Sequence, residues 1–380
     1  MTTDIRYIGV NDHELDLFEG MYTVPRGMAY NSYVILDEQI AVLDSVEQRF
    51  GEAWLAHLAA ALDGRTPDYL IVQHMEPDHS ANILRFLETY PGATVVASAK
   101  AFAMMRNFFG REIAGKTVGE GATLSLGRHT LTFLTAPMVH WPEVILTYDA
   151  CDRVLFSADA FGKFGALDVQ EAWVDEAARY YFGIVGKYGA QVQALLKKAS
   201  ALAIDTICPL HGPVLTGDTL AEALRLYDIW SAYGVEREGV VVAYASIYGH
   251  TAQAALRLAE LLRAQGTRDV QVFDLCRCDM AEAVSAAFRY GRLVLAAPTY
   301  NADVFPCMGE FIRKLVARGY RGRTVGLIEN GSWAPMAAKV MRTMLEGCKE
   351  LTIAEPAVRI DSALSEKSAE QLTALAAALA

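Results

Sequence analysis

No two cysteines in this sequence stand at CxxC spacing. Its 380 residues hold six, Cys151, Cys208, Cys276, Cys278, Cys307 and Cys348, with a lone CxC at Cys276 and Cys278. A four-cysteine iron or zinc module is excluded, and a set of reduced, mostly buried thiols is the expectation. Long apolar runs are lacking too. Hydrophobic residues reach 53% and mean hydropathy is +0.18, yet no stretch approaches the ~18–20 residues a spanning helix needs. The opening MTTDIRYIGVNDHELDLF is acidic where a signal peptide would be basic. A cytoplasmic protein with no membrane partner is expected. Positive charge is also short: Lys plus Arg is 34 against Asp plus Glu 45, a net of −11. That disfavours nucleic acid and anionic lipid, which attract basic faces. Small molecules and other proteins remain. Internal repeats and low-complexity tracts are absent.

What is present divides into two textures. Up to about residue 235 there are many short segments rich in Val, Ile, Leu, Thr and aromatics, bounded by Gly, Asp, Asn or Pro. Strands are predicted at 32–37, 40–46, 69–74, 94–98, 130–135, 144–148 and 153–157. Helices are predicted at 52–62, 81–89, 100–109, 174–200 and 220–233. The polar stretch GVEREG, residues 234–239, then marks a boundary, giving domains 1–236 and 237–380. Beyond it strand and helix alternate five times: strands at 240–246, 270–275, 292–298, 323–330 and 355–360, the last followed by an Ala-rich helix over 365–380. Such alternation predicts an α/β, doubly wound parallel sheet of five strands.

The strongest chemical signal is His74-Met75-Glu76-Pro77-Asp78-His79. Four metal-capable side chains fall within six residues, directly after the apolar strand YLIV. Pro77 keeps Glu76 out of helical geometry, so the turn can fan these groups toward one point. His140, Asp159 and His211 each end a strand near Gly or Pro. One strand-end His or Asp is more often a cap than a ligand. Burying Glu, Asp and two His together without a cation, however, would be costly. Four His and three carboxylates with solvent suit two metals sharing a bridging carboxylate. The spacing resembles the metallo-β-lactamase fold, whose zinc enzymes carry H-x-H-x-D-H followed by His, Asp and His. Here Glu76 replaces the second His. Mixed imidazole and carboxylate shells suit iron or manganese, which moves the expectation from hydrolysis toward redox chemistry.

In the second region the first strand runs into Ser246-Ile247-Tyr248-Gly249-His250-Thr251 and a helix. Hydroxyls, a glycine and a helix N-terminus make an anion site. The loop resembles the flavodoxin pattern T/S-x-T-G-x-T, with Tyr248 departing at the third position. Two more loops end strands in order: Pro298-Thr299-Tyr300-Asn301 and Gly331-Ser332-Trp333. Tyr300 and Trp333 could pack against a flavin ring.

Taken nearly end to end, the chain resembles the flavodiiron proteins, or A-type flavoproteins. The resemblance implies an N-terminal metallo-β-lactamase-like αββα sandwich and a flavodoxin-like second domain. It implies two irons, one held by His74, Glu76 and His140, the other by Asp78, His79 and His211, with Asp159 bridging. The flavin would be FMN, on residues 246–251, 298–301 and 331–333. Asn301-Ala302 stands where relatives often have Asn-Asn, and the loop from Gly331 to Pro335 also departs from the commoner forms. The family reduces dioxygen to water, nitric oxide to nitrous oxide, or both. With no fused rubredoxin, electrons would come from a separate donor such as a rubredoxin or a reduced deazaflavin. Proton donors could be water, Tyr180, Tyr181 or Glu143. A head-to-tail homodimer is implied, with a homotetramer left open. Two rival readings are a zinc-type two-metal hydrolase with a flavodoxin-like appendage, and an electron-transfer flavoprotein whose first domain is only structural.

Overall fold

A computed structural model describes residues 3–379; the expected helix end at Ala380 lies outside them. Compactness divides the chain into two units, Met1–Asp228 and Ile229–Ala380. The cut falls inside the helix Gly217–Ser231, ahead of GVEREG. Its last turn falls within the second unit. Trp230 Nε1 donates to Glu236 (2.6 Å), Arg289 pairs with Glu236 (2.7 Å), and Arg323 donates to the carbonyls of Tyr233 (2.9 Å) and Gly234 (2.8 Å).

The first unit is built on two six-stranded sheets. One runs Ile5–Tyr7, Tyr33–Ile35, Ala41–Leu43, Tyr69–Val72, Thr94–Ser98, Gly115–Val118; the other runs Thr123–Ser125, Thr130–Thr135, Ile145–Asp149, Val154–Phe156, Thr206–Cys208, Leu215–Thr216. Alternate residues of each strand point to one face. Tyr33, Ile35, Ala41, Leu43, Ile71 and Val96 therefore meet Leu131, Phe133, Ile145, Val154 and Phe156 in one buried cluster between the sheets. The intervening residues of the first sheet, Val34, Val42, Leu70 and Val95, are equally buried, so both its faces are covered. Trp54, on the helix Gly51–Leu62, is fully buried and reaches Ser32 Oγ through its indole N–H (3.0 Å). Such double cover is why the strands read as unbroken apolar runs.

The predicted helix over 174–200 is broken. Trp173–Tyr180 passes through a π-helical turn, Tyr181–Val185, and a tight turn, Gly186–Tyr188, before Gly189–Ala199 resumes. Tyr22 explains the break. Its hydroxyl donates to the Gly183 carbonyl (2.9 Å), and a Cβ on Gly183 would lie 2.9 Å from its ring.

The second unit is a doubly wound parallel sheet in the order Val270–Asp274, Arg237–Tyr244, Tyr290–Tyr300, Thr324–Asn330. The fifth strand position is shared by two pieces, Thr352–Ile353 and Val358–Ile360, both parallel to Thr324–Asn330. Pro356 lies between them and has no N–H to give a ladder. A short strand, Asp303–Val304, folds back on Thr299–Tyr300. The thiols depart from expectation: Cys208 is buried, Cys151 and Cys276 are exposed, and the other three are half-buried, all of them free.

Candidate metal centre and cofactor cleft

The loop after Tyr69–Val72 is held open from behind. The Asp44 carboxylate accepts from the Gln73 N–H (2.7 Å), the Gln73 side-chain amide (2.8 Å) and the His74 N–H (3.3 Å). Glu76 is extended, and Pro77 starts a one-turn helix, Pro77–Ser80, that carries Asp78 and His79. The Ser45 hydroxyl fastens the His79 carbonyl (2.8 Å) and the Ser80 hydroxyl fastens that of Met75 (2.8 Å). His211 is aimed by Nδ1, which donates to the Ala29 carbonyl (2.7 Å). Gly212 follows with φ +80°, and a Cβ there would strike the Lys163 side chain at 2.7 Å. That position requires glycine.

All seven sequence-predicted residues converge, in two groups: His74, Glu76, His140 and Asp159; and Asp78, His79 and His211. His140 Nε2 lies 3.0 Å from Glu76 Oε2 and 3.0 Å from Asp159 Oδ2, while His74 Nε2 lies 3.2 and 3.4 Å from the same atoms. On the other side, His79 Nε2 and His211 Nε2 are 3.0 Å apart, each 3.3 Å from Asp78 Oδ2. Asp159 serves both sides: Oδ2 faces the first group, and Oδ1 lies 3.4 Å from His79 Nε2. Ligands ~2.0–2.2 Å from a common ion stand roughly 3.0–3.5 Å from each other, and these spacings are compatible with two such shells.

The donor atoms fit cations better than they fit one another. Both Asp78 oxygens and Asp159 Oδ1 are buried without a hydrogen-bond partner, a costly state unless something else satisfies them. Burial alone would strip His74 of its proton, yet Asp159, Glu143 and Glu76 hold its pKa well above the ordinary value. His140 is pushed up to about 9 against its burial, by Asp159 and then Glu76. Burial opposes the ionisation of Glu76 as well, but His140 and His74 bring it down to about 2. Asp159 is likewise buried and held well below the carboxylate range, by His74 first. The cluster thus concentrates anionic oxygen and takes up protons to balance it, and those protons are what a bound cation displaces.

Two roles were not legible beforehand. Glu143, expected as a proton carrier, stands behind His74: Oε1 accepts from His74 Nδ1 (2.8 Å) and from the Met75 N–H (2.9 Å). It fixes the ring so that Nε2 faces the centre. Replacing it with alanine should weaken metal retention roughly 10–100-fold, measured by chelator competition, with the flavin content unchanged. Unaltered retention would show that the ring is aimed by packing alone. Glu19, in the turn between Leu17–Phe18 and Tyr22–Thr23, is exposed and within electrostatic reach of Glu76 and His140. Desolvation and then Glu76 raise its carboxyl to about 7. Tyr180 Oη is buried without a hydrogen-bond partner, and burial and then Asp159 hold it firmly protonated.

In the second unit, Ser246, Ile247, Tyr248, His250, Thr251, Pro298, Thr299, Asn301, Gly331, Ser332 and Trp333 line one cleft of ≈ 290 Å³, joined by Ala302, Asn330, Ala334, Met336 and Ser362. Ser246 Oγ accepts from the N–H groups of Gly249 (3.1 Å) and Ala252 (3.2 Å) and so shapes the turn. The first-turn N–H groups of His250–Ala264 have no partner within the helix, an end suited to an anion. Thr299 Oγ1 accepts from Met336 N–H (2.8 Å), Asn330 Nδ2 donates to the Ser362 carbonyl (3.2 Å), and the Ser362 and Ser332 hydroxyls meet at 2.8 Å. Two expected residues sit differently. The Tyr300 ring packs edge-on against Phe305 at 5.5 Å between centroids, and Gly249, at φ +92°, shapes the turn through its backbone. Tyr248 and Trp333, 91% and 83% exposed, stand at the cleft.

A family model described as "ODP family beta lactamase" matches residues 28–212. The chain is 30% identical over 368 residues to a nitric oxide reductase of Moorella thermoacetica, covering 94% of this chain and 91% of that protein. Among solved structures, rubredoxin oxygen:oxidoreductase from Desulfovibrio gigas superposes with a TM-score of 0.93 at 25% identity, covering 100% of this chain and 96% of the other. The flavodiiron protein from Giardia intestinalis gives 0.90 at 27%, covering 100% and 95%.

Proposed function

The chain belongs to the flavodiiron proteins, and from that premise we propose that it reduces dioxygen to water, nitric oxide to nitrous oxide, or both, at a di-iron centre fed by FMN. The observation that carries this reading is the divided Asp159 carboxylate, with one oxygen toward each of two His-and-carboxylate groups. His74, Glu76 and His140 would hold one iron, Asp78, His79 and His211 the other, with Asp159 between them. Glu76 supplies a hard oxygen where zinc hydrolases carry His, and the relatives are named as reductases, so the hydrolase reading is not favoured. Residues 1–236 would form the di-iron domain and 237–380 the flavin domain.

When bound, FMN collects electrons and the iron pair delivers them to a diatomic gas. The chain's own groups supply the frame. Asp44, Ser45 and Ser80 hold the ligand loop open, and Glu143 and the Ala29 carbonyl orient His74 and His211. Glu19 and Tyr180 are the acids placed to hold protons beside the cluster. In the cleft, the helix N-terminus and Ser246 turn would receive the FMN phosphate, and Asn301, Thr299 and the loop at Gly331–Trp333 would hold the ring.

The electron donor would be a separate protein or cofactor; the rubredoxin in the name of the Desulfovibrio gigas relative supports a rubredoxin, and a reduced deazaflavin is the other choice. A head-to-tail homodimer is proposed, consistent with Tyr248 and Trp333 standing exposed at the cleft, which a second copy would cover. Among the described residues no helix is long and apolar enough to cross a membrane; a cytoplasmic location is proposed. Anaerobic single turnover tests the activity. The fully reduced holoprotein, mixed with either gas alone, should reoxidise within a turnover and yield water or nitrous oxide. Reoxidation no faster than free FMN, with both gases, would overturn it.

A further inference from the structure

We propose that Cys276 and Cys307 form a peroxide-sensitive dithiol that closes reversibly to a disulfide at the rim of the second unit. Their sulfurs lie 3.5 Å apart, in van der Waals contact and unbonded. A disulfide needs about 2.0 Å, about 1.5 Å closer than this contact. The two come from distant parts of the chain and each rests on a fixed support. Cys276 follows the strand Val270–Asp274, where Asp274 accepts from the N–H groups of Cys276 (3.0 Å), Arg277 (2.9 Å) and Cys278 (2.9 Å). Cys307 occupies the first turn of the helix Pro306–Ala317, just after the fold-back pair Thr299–Val304 and Tyr300–Asp303. Cys278 is only two residues from Cys276, but it sits under the cap of the next helix, where Asp279 accepts from Ala281 N–H (2.8 Å).

Exposure gives the two sulfurs different roles. Cys276 is exposed and meets an oxidant first; Cys307 is half-buried behind it. Burial and then the neighbouring Cys276 sulfur push the Cys307 thiol up to about 12, so Cys307 keeps its proton and can lend it to Cys276. With a hydroperoxide as oxidant, Cys276 sulfur attacks the O–O bond, giving a sulfenic acid and water. Cys307 sulfur then attacks Cys276 sulfur, the second water leaves, and the S–S bond forms. Two thiols are oxidised by two electrons, and one hydrogen peroxide becomes two waters. A small thiol reverses it by exchange. The cross-link would tie the base of the hairpin carrying Asn301 and Ala302 to the end of Val270–Asp274, across the intervening strand Arg237–Tyr244. It requires neither iron nor flavin, so its test is independent of the activity proposed above.

The experiment treats the purified holoprotein with hydrogen peroxide and, separately, with the metal-independent thiol oxidant diamide. Remaining thiols are then alkylated and the peptides mapped by mass. Alkylatable thiols should fall from the six of the sequence to four (6 − 2 = 4). The missing pair should appear as one Cys276–Cys307 cross-linked peptide, two hydrogens lighter than its parts, that dithiothreitol reverses. In Cys307→Ser, Cys276 should instead be trapped by dimedone as a sulfenic acid. Six thiols persisting under both oxidants would overturn the proposal. So would a Cys276–Cys278 link, or over-oxidised Cys276 beside an alkylatable Cys307. The wild-type map decides even if the variant fails to fold.

Discussion

Asp159→Ala should purify yellow and poor in iron. Among the described residues, Asp159 is the side chain that faces both groups, its two oxygens divided between the His140 and His79 sides. Because it is the proposed bridge, its removal would take a ligand from each metal at once and leave the buried imidazoles of His74, His79 and His140 with less counter-charge. The loss of activity should exceed the roughly 10–100-fold that a merely supporting residue costs. Iron should fall below two atoms per chain by elemental analysis, while flavin absorbance per chain stays at the wild-type level. The wild type, made in iron-replete cells, should carry two irons. Two zincs in their place would sink the redox reading, and an Asp159→Ala protein that kept both irons would remove Asp159 from the bridge.

The part of this centre that lay open in the sequence is the part that is local. His74 to His79 fall in one turn, and the spacing of that turn announced them. His140, Asp159 and His211 show because each follows an apolar strand, in the loops after Thr135, Phe156 and Cys208. Asp44, Glu143 and Glu19 left no such trace. Asp44 reaches its partners across 29 and 30 residues and Glu143 across 68 and 69. An isolated acid in a loop reads the same whether it aims a ligand or faces water. The flavin cleft shows the same boundary. The three strand-end loops were legible, but Ser362 enters from a fourth segment, and Tyr300 turned to Phe305 because the fold-back strand Asp303–Val304 offered its ring a partner. The run over 174–200 was mistaken for one helix on apolar periodicity alone. Its glycines at 183, 186 and 189 were the available warning, and Tyr22, more than 150 residues away, is what makes the first of them necessary.

The second large effect concerns assembly. Metal centre and flavin cleft belong to different units of one chain, so a flavin can feed irons of its own chain or of another. The proposed head-to-tail dimer chooses the second route, and a two-fold interface of this kind is self-complementary and closes at two subunits. Two inactive variants separate the routes. Asp159→Ala should lack a working metal centre and keep its flavin. Ser246→Glu replaces the hydroxyl that shapes the turn with a negative charge where the FMN phosphate must sit, so it should be colourless and keep its iron. Each homodimer should be essentially dead. Co-expressed with different affinity tags and isolated as mixed dimers, the pair should regain about half the wild-type activity per dimer. In each mixed dimer one flavin, from the Asp159→Ala chain, faces one intact metal pair, from the Ser246→Glu chain, and the other facing pair lacks both. Passage within a single chain predicts no recovery, because neither chain holds both cofactors. Mixed dimers that contain flavin and iron in the expected amounts yet stay inactive would therefore exclude the cross-subunit route. A Ser246→Glu protein that remained yellow with unchanged affinity would instead move the phosphate site away from residues 246–251.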